Sequence, residues 1–243
     1  MNTRVDKLTI LAALQKGKIN LQGQFLNSSN YTFLAEAEYQ SLRLKVVYKP
    51  LRGEQSLWDF PPGTLSKREV AAFIVSEALG WELVPPTVYR RKAQFGAGSA
   101  QQYIDHDPEY HYFKFNEIHK QHLRPVVLFD LVVNNADRKG GHIFFDALDH
   151  IWVIDHGICF HIEDKLRTVI WDFAGEEIPS NLIQDIVRLK QDLVNQTGVY
   201  SSLVKMISSV EINAVTGRID HLCNQGHFPF PPTRDRFYPW PPI

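Results

Sequence analysis

The stretch NNADRKGGHIFFDALDHIWVIDHG, residues 134–157, places Asp137, His142 and Asp155 among glycines and two short apolar runs. The runs HIFFD and IWVID flank the loop ALDH, and a four-residue loop is a common length for a β-hairpin. The stretch therefore predicts a short hairpin with polar residues gathered at its open end.

The expected register of this hairpin brings two of the polar residues together. If Asp146 pairs with Ile151, then His142 pairs with Asp155, and directly opposed Cβ atoms lie roughly 5 Å apart. Both side chains then point to one face and can hold one cation. Asp137 lies five positions before His142, in the loop that enters the same strand.

This cluster has the spacing of a phosphoryl-transfer site. Protein-kinase-like enzymes use an aspartate to orient the substrate hydroxyl and a metal-binding side chain five positions later. A second metal-binding aspartate opens a D-x-G after a short hairpin. DRKGGH supplies Asp137 and His142, and DHG supplies Asp155. The alternative is structural: Asp137 and the two glycines form turns and Asp155 caps a strand.

Composition limits the classes of protein. The 243 residues, 44% of them hydrophobic, suit one large domain or two small ones that share a ligand. A formal net charge of -1 argues against nucleic acid and anionic membranes as partners. With two cysteines, no secretory leader and no apolar run of about 18 residues, we expect a cytoplasmic protein without a transmembrane segment.

The order of predicted elements divides the chain in two. A helix ending at KGK precedes three strands, INLQGQFL, YTFLAEAEY and LRLKVVYKP, which form an antiparallel meander. The helix SKREVAAFIVSEALG and two further strands follow, and helical periodicity dominates after the junction DHDPEYHYF. We interpret VVLFDLVVN as a helix leading into the opening stretch, although its β-branched residues favour a strand. The predicted lobes are residues 1–104 and 105–243.

Lys49 and Glu69 are candidates for an ion pair. Lys49 ends the third strand, where a solvated basic face is the alternative interpretation. SKRE has the S-x-x-E form of a capping box, in which Glu69 would bond to the Ser66 N–H. We favour the pairing of Glu69 with Lys49, and Glu77 is the substitute partner if the helix is shifted.

The turn between the first two strands is the weakest candidate. Ser28, Ser29 and Asn30 offer backbone N–H groups and hydroxyls that suit a phosphate. The turn has no glycine, and a simple hairpin connection explains it equally well.

Taken together, these segments resemble a known enzyme group. SSNYTF, VVYKP, REVAAFIVSEALGW, VVNNADRKGGH and VIDHGICF resemble, in this order, segments of the phosphoinositide 3-/4-kinase superfamily. They are most similar to the type II phosphatidylinositol 4-kinases, their bacterial relatives and a bacterial kinase-like family of about this length. The resemblance covers roughly residues 20–165. It implies an α+β, two-lobed protein-kinase-like fold with an antiparallel β-rich N-lobe and a mainly helical C-lobe.

The resemblance also implies roles for single residues. ATP and Mg²⁺ would be the cofactors. Asp137 would be the catalytic aspartate, and Arg138 would occupy the arginine position of the family's D-R pair. Lys49 would bind the phosphates and pair with Glu69. Asp155 and His142 would hold the metal, Ser28, Ser29 and Asn30 would contact phosphate, and the backbone of Gln102, Tyr103 and Ile104 would meet adenine.

His142 departs from the pattern, because these kinases usually have asparagine at the second metal position. Mg²⁺ prefers oxygen ligands, whereas imidazole suits Mn²⁺ and later transition metals. Either His142 binds a nitrogen-tolerant ion such as Mn²⁺, or Asp155 alone holds Mg²⁺ firmly, or activity is lost.

The sequence thus predicts an ATP- and metal-dependent phosphotransferase whose hydroxyl acceptor is a protein, a small molecule or a lipid headgroup. The alternatives are a pseudokinase that binds nucleotide without turnover and a kinase-fold enzyme that transfers AMP. The C-terminal tail, GHFPFPPTRDRFYPWPPI, is expected to strap its own second lobe, and a polyproline ligand for a partner is the alternative.

Overall fold

The computed structural model describes residues 5–25, 30–233 and 237–243. Within them, five antiparallel strands form one sheet in the order β1-β2-β3-β5-β4. The predicted meander is confirmed as its first three strands. The strands are β1 (Lys18–Gln24), β2 (Phe33–Tyr39), β3 (Leu42–Pro50), β4 (Thr87–Arg90) and β5 (Gly98–Gln102).

Helix α1 (Lys7–Lys16) covers one face of this sheet. The side chain of Asp6 caps it by accepting the Thr9 N–H at 2.9 Å. Leu14 of the helix packs against the buried Ala35 and Ala37 of β2, whose small side chains allow the helix to approach closely. A small hydrophobic core therefore holds the β-rich lobe together.

Helix α2 (Leu65–Leu79) joins the two lobes and is buried on nearly every side. It contacts β4 and β5 of the sheet as well as helices of the second lobe. It ends at Gly80, whose φ of 74° is the left-handed conformation that favours glycine. The helix and its glycine stop are as the sequence predicts.

The capping box, the alternative interpretation of SKRE, does not form at the start of α2. The N-cap is Thr64, and the Ser66 N–H donates to the carboxylate of Glu54 at 2.8 Å. Glu54 also accepts the Ser66 hydroxyl at 2.6 Å. Because a carboxylate from the preceding loop satisfies the first turn, Glu69 is left free for another partner.

The second lobe is mainly helical. Its largest core cluster is formed by apolar residues of α2 and of the helices and hairpin that follow. These elements are α3 (Glu117–Gln121), α4 (Arg124–Val133), β6 (Ile143–Phe145), β7 (Ile151–Val153), α5 (Ser180–Val194), α6 (Gly198–Leu203) and α7 (Ser209–Gln225). None of the helices in the described ranges is both long and apolar enough to cross a membrane.

Helix α4 confirms the interpretation of VVLFDLVVN. Its β-branched residues favour a strand, but they are buried against the core of the lobe, and this packing outweighs local propensity. The helix stops at Asn134, which has a φ of 56° and directs the chain into the loop that carries Asp137.

The hairpin forms with a register one residue away from the predicted one. Phe145 pairs with Ile151 and Ile143 with Val153, so Asp146 faces His150. The connecting loop is therefore shorter than expected.

Asp146 determines this turn. Its carboxylate accepts the N–H groups of Leu148 and His150, and Asp149 takes a φ of 63°. A three-residue loop with a left-handed residue before the second strand is a standard hairpin connection. The side chain of Asp146 thus selects the observed register.

The described part of the tail docks on its own second lobe. The Thr168 N–H donates to the Phe237 carbonyl at 3.1 Å, and the Gly140 N–H donates to the Pro242 carbonyl at 2.7 Å. The ring of Phe237 also meets Trp171 edge to face at 5.8 Å. The strap interpretation of the tail is confirmed at these contacts.

Candidate active site

Lys49 lies between two carboxylates in the cleft between the lobes. Its ammonium pairs with Glu69 of α2 and with Asp155 Oδ1, the latter at 2.9 Å. Lys45, by contrast, lies on the exposed part of the same strand and pairs with Asp105. The solvated basic face is therefore the wrong interpretation for Lys49.

Glu69 is the buried centre of this group, with its side chain 3% exposed. Its second oxygen accepts the His156 N–H at 3.0 Å, which ties the helix to the D-x-G segment. Glu77, the substitute partner, pairs instead with Lys7 of α1. The structure thus brings Lys49 and Glu69 together as the sequence predicts.

Negative neighbours keep Lys49 charged. Burial alone lowers its pKa, but Asp155 and Glu69 outweigh burial and raise the pKa of Lys49 above its usual value. The same ion pair, with Lys49 as the largest cause, lowers the pKa of Asp155. Lys49 and Asp155 are therefore both ionised at neutral pH.

His142 and Asp155 converge despite the shifted hairpin register. The His142 Nε2 lies 3.3 Å from Asp155 Oδ2. In the observed register the His142 carbonyl accepts the N–H of Ile154. If the strand continued regularly, Asp155 would not lie opposite His142. Asp155 has a φ of 62°, and this left-handed turn aims its side chain back at the histidine.

His142 is a neutral ring held in place by the loop. Burial lowers the pKa of His142 to about 4, against the opposing effect of Asp155. Its Nδ1 lies 3.2 Å from the Asp137 carbonyl. With the proton on Nδ1, the Nε2 lone pair and the Asp155 carboxylate face one point, an arrangement that a divalent cation satisfies.

The protein supplies only part of a metal coordination shell. Within the described ranges, no three His, Cys, Asp or Glu side chains converge on one point. Two protein ligands fit an ion such as Mg²⁺ or Mn²⁺ that takes its remaining ligands from phosphate oxygens and water. Asp155 and His142 therefore suit a metal bound together with a nucleotide.

Asp137 lies at the edge of the same site with its side chain 29% exposed. Burial, with a contribution from the charge of Asp155, raises the pKa of Asp137 to about 6, although Lys139 and Arg167 act to lower it. The Asp137 N–H donates to Asn135 Oδ1 at 3.0 Å, which fixes the loop. At neutral pH this carboxylate is ionised and can accept a proton or a hydrogen bond.

Lys139 is a functional candidate that the sequence interpretation missed. Its Nζ lies 3.5 Å from Asp137 Oδ2. The sequence contained an indication of this role, because a lysine two positions after Asp137 in the same loop can place its positive charge beside that carboxylate.

Arg138 is fully buried and holds the loop that carries Asp137 to the hairpin. Its guanidinium makes two bonds to Asp130 of α4, at 2.8 and 2.9 Å. It also donates to the carbonyl of Ile154 at 2.9 Å and lies 2.8 Å from His156 Nε2. Asp130 thus connects α4 to this loop mainly through the side chain of Arg138.

Gly140, the first glycine after Lys139, is required by close packing. A Cβ on Gly140 would lie 2.7 Å from the ring of Phe113 and 3.4 Å from the Pro242 carbonyl oxygen. The tail and the ring of Phe113, which precedes α3, therefore approach the loop after Asp137 more closely than a side chain at position 140 permits.

The three predicted adenine contacts are not equivalent. The Gln102 N–H donates to Pro86 and the Tyr103 N–H to Lys45. Among the hydrogen bonds of the described residues, none uses the Ile104 N–H. Of the three residues, Ile104 is thus the one whose backbone N–H can donate to a ligand.

The predicted phosphate turn falls largely outside the described residues. Ser28 and Ser29 lie in the undescribed range 26–29. Asn30 is described, and its side-chain oxygen accepts the Gln55 N–H at 2.7 Å. A phosphate contact of this turn stays a prediction.

Comparison with known proteins extends over the whole chain. No protein-family model matches it. A curated relative, "Protein Rv2133c" of Mycobacterium tuberculosis (strain ATCC 25618 / H37Rv), is 34% identical over 276 aligned residues, which cover 99% of this chain and 97% of that protein.

Two solved structures share the fold. The Helicobacter pylori proinflammatory kinase CtkA matches with a TM-score of 0.53 at 11% identity, covering 88% of this chain and 94% of that one. The Golgi casein kinase with Mn and ADP bound matches with a TM-score of 0.58 at 13% identity, covering 90% and 74%. The predicted two-lobed α+β fold of kinases is confirmed.

Proposed function

We propose that this chain, which belongs to the family of the Mycobacterium tuberculosis protein Rv2133c, is an ATP- and metal-dependent phosphotransferase. It transfers the γ-phosphate of ATP to a hydroxyl group. One observation carries the proposal: the ammonium of Lys49 pairs with both Glu69 and Asp155. A kinase needs this lysine, this helical carboxylate and this D-x-G aspartate in one cleft.

Lys49 acts on the phosphates in this proposal. An ammonium has three N–H donors, and the two carboxylates use two of them. The third is available to a phosphate oxygen, while Glu69 prevents the flexible lysine side chain from leaving the cleft. The role of Lys49 is therefore to position the phosphates and to offset their charge.

Asp137 acts on the acceptor. Because its pKa is about 6, it is ionised at neutral pH and accepts a hydrogen bond from the incoming hydroxyl. The nearby charge of Lys139, 3.5 Å away, keeps this carboxylate ionised and adds positive charge where negative charge develops. The acceptor hydroxyl belongs to a protein side chain, a small molecule or a lipid headgroup.

Asp155 and His142 would hold the metal, and their carboxylate oxygen and neutral imidazole fit Mn²⁺ better than Mg²⁺. A metal held there would supply positive charge that offsets the charge of the phosphates. Adenine would meet the Ile104 N–H at the junction of the lobes, which we place near residue 104.

The order of motifs supports a place in the phosphoinositide 3-/4-kinase-like superfamily.

The two cysteines, Cys159 and Cys223, are free thiols, which supports a reducing, cytoplasmic setting.

A second candidate function is a nucleotide-binding module without turnover. His142 favours it, because an imidazole replaces the oxygen ligand that Mg²⁺ requires at this position. The two candidates share the binding step and differ in the chemical step.

ADP formation separates them. Purified protein is incubated with ATP and either Mg²⁺ or Mn²⁺, with water and the protein itself as acceptors. The comparison is between wild type, Asp137→Ala and the control Glu177→Ala, an exposed carboxylate remote in sequence. We expect turnover that is faster with Mn²⁺, about 100-fold slower in Asp137→Ala and unchanged in the control.

Metal-dependent ATP binding without ADP formation under either ion would replace the kinase by the binding module. Equal turnover in wild type and Asp137→Ala would refute the role of Asp137.

A further inference from the structure

Arg68, the residue before Glu69, is buried with 1% of its surface exposed. Its Nη1 donates to the Cys159 carbonyl at 2.6 Å, and its Nη2 pairs with Glu211 of α7. Its Nε donates to the Thr64 hydroxyl at 3.2 Å. Every nitrogen of this guanidinium is therefore used, and each bond goes to a different part of the chain.

The Cys159 carbonyl lies in the segment that follows the D-x-G aspartate. Its neighbours attach this segment to the catalytic loop region: the Ile158 carbonyl accepts the Ala136 N–H, and the Phe160 N–H donates to the Val133 carbonyl. Arg68 therefore links helix α2 to Cys159, which lies between the two residues that attach this segment to the catalytic loop region.

Glu211 is a fixed partner for this arginine. Its Oε2 accepts the N–H and the hydroxyl of Ser208 at 2.8 and 2.7 Å, in the capping box of α7, and its Oε1 pairs with Arg68. The carboxylate of Glu211 thus caps the start of α7 and also neutralises the buried guanidinium of Arg68. A buried guanidinium without that carboxylate would be strongly destabilised.

Kinases control the lysine–glutamate pair through the position of this helix and the ordering of the segment after D-x-G. In many of them, phosphorylation of that segment supplies the negative charge that pairs with arginine. In this protein the negative charge that pairs with the arginine is the side chain of Glu211, so no phosphorylation is needed to provide it.

We propose that Arg68 and Glu211 form a permanent lock that positions helix α2, and with it Glu69, so that the Lys49–Glu69 pair is assembled without phosphorylation. Arg68 is a positioning residue in this account, since it acts on the site through Glu69 and the 158–160 segment. The proposal rests on the proposed kinase function for its rate effects. Its structural part holds without that function.

Hydrogen exchange tests the structural part. The His156 N–H donates to Glu69, so its exchange reports whether α2 and the D-x-G segment stay together. In the ligand-free protein we expect the peptide spanning 155–161 to exchange at least tenfold faster in Arg68→Ala and in Glu211→Gln than in wild type.

Two variants serve as matched controls. Ser208→Ala removes capping bonds from Glu211 but leaves its charge beside Arg68. Arg188→Ala removes a bond to the Leu79 carbonyl at the far end of α2. Both should leave the exchange of 155–161 within twofold of wild type. Equal acceleration in all four variants, or in none, would overturn the lock.

Turnover tests the functional part. We expect kcat to fall at least tenfold in Arg68→Ala with the KM for ATP changed less than threefold, and ethylguanidinium in the buffer to restore part of kcat. Phosphatase treatment of wild type should leave kcat unchanged. If Arg68→Ala does not fold, the same test uses Arg68→Lys and Glu211→Gln. Arg68→Lys keeps the positive charge but loses the several N–H donors of the guanidinium.

The outcomes are separable. Loss of turnover after phosphatase treatment, or a kcat within twofold of wild type in Arg68→Ala, would overturn the proposal. A wild-type protein without turnover would refute the proposed function, and hydrogen exchange would still decide whether the lock exists.

Discussion

Asp137→Asn tests the electrostatics of the site with almost no change in shape. In the folded protein burial raises the pKa of Asp137 to about 6, from 3.8 for the exposed group. Between these two values the folded state binds more protons than the unfolded state. Stability therefore falls as the pH rises from about 4 to about 6, and the full penalty is present above pH 6.

The size of this penalty follows from the pKa difference. Each pH unit corresponds to about 1.4 kcal/mol, so an upper bound is about 3 kcal/mol. Because the side chain is 29% exposed, solvent screening reduces the penalty to about 1–2 kcal/mol. The neutral amide of asparagine avoids this cost, and we expect the variant to be more stable than wild type by that amount at pH 7.5.

Urea unfolding measures the effect in metal-free buffer between pH 4.5 and 8. The gain in the free energy of unfolding should shrink toward zero as the pH falls from 6 toward 4, and Glu177→Gln on the exposed surface is the control variant. A variant that is destabilised at every pH, or equally stabilised at pH 4.5 and 7.5, would refute this reasoning. Catalysis and stability would conflict at Asp137 if the prediction holds.

Three further substitutions test separate contacts. His142→Asn supplies the oxygen ligand that Mg²⁺ prefers, so the ratio of initial rates with Mn²⁺ and Mg²⁺ should fall about tenfold; an unchanged ratio would exclude His142 from the metal site. Lys49→Met leaves Glu69, 3% exposed, without its counter-charge and should lower the free energy of unfolding by about 3 kcal/mol. If adding Glu69→Gln to that variant recovers none of the loss, the pair is not the cause. Gly140→Ala places a Cβ 2.7 Å from the ring of Phe113 and should cost about 2 kcal/mol in urea unfolding. Gly141→Ala, whose Cβ would meet an ordinary contact at 3.7 Å, should be nearly neutral, and equal effects of the two would contradict the packing argument.

The hairpin shows what sequence can and cannot predict about the site. The contact between His142 and Asp155 is expected from a regular hairpin register. The apolar runs and the hairpin itself follow from strand periodicity and loop length. The register does not, because the carboxylate of Asp146 selects a shorter loop. The left-handed φ of Asp155 restores the contact, and nothing in the local sequence signals that conformation for a non-glycine residue.

The role of Glu69 shows a second limit. The sequence offered a local partner, Ser66, and a distant one, Lys49. The choice depends on Glu54, which caps α2 from the preceding loop and makes the capping box unnecessary. Such a contact depends on how the loop folds, and periodicity carries no information about it.

The contacts of Arg68 are even harder to predict from the sequence. An arginine in the first turns of a helix normally implies an exposed side chain. Its burial follows from contacts with Cys159 and Glu211, which are 91 and 143 positions away. These groups meet only in the folded chain, where Glu211 at the start of α7 and the Cys159 carbonyl both lie beside α2.

Calorimetric titration of ATP with Mn²⁺ into wild type and Asp155→Ala tests the central claim most directly. That claim is that the carboxylate of Asp155, held by Lys49 at 2.9 Å and by His142 at 3.3 Å, binds a metal-bound nucleotide. We predict binding in wild type that a chelator abolishes and that Asp155→Ala weakens at least 30-fold, about 2 kcal/mol. Binding of equal strength in the two proteins, or no binding in wild type, would contradict the account.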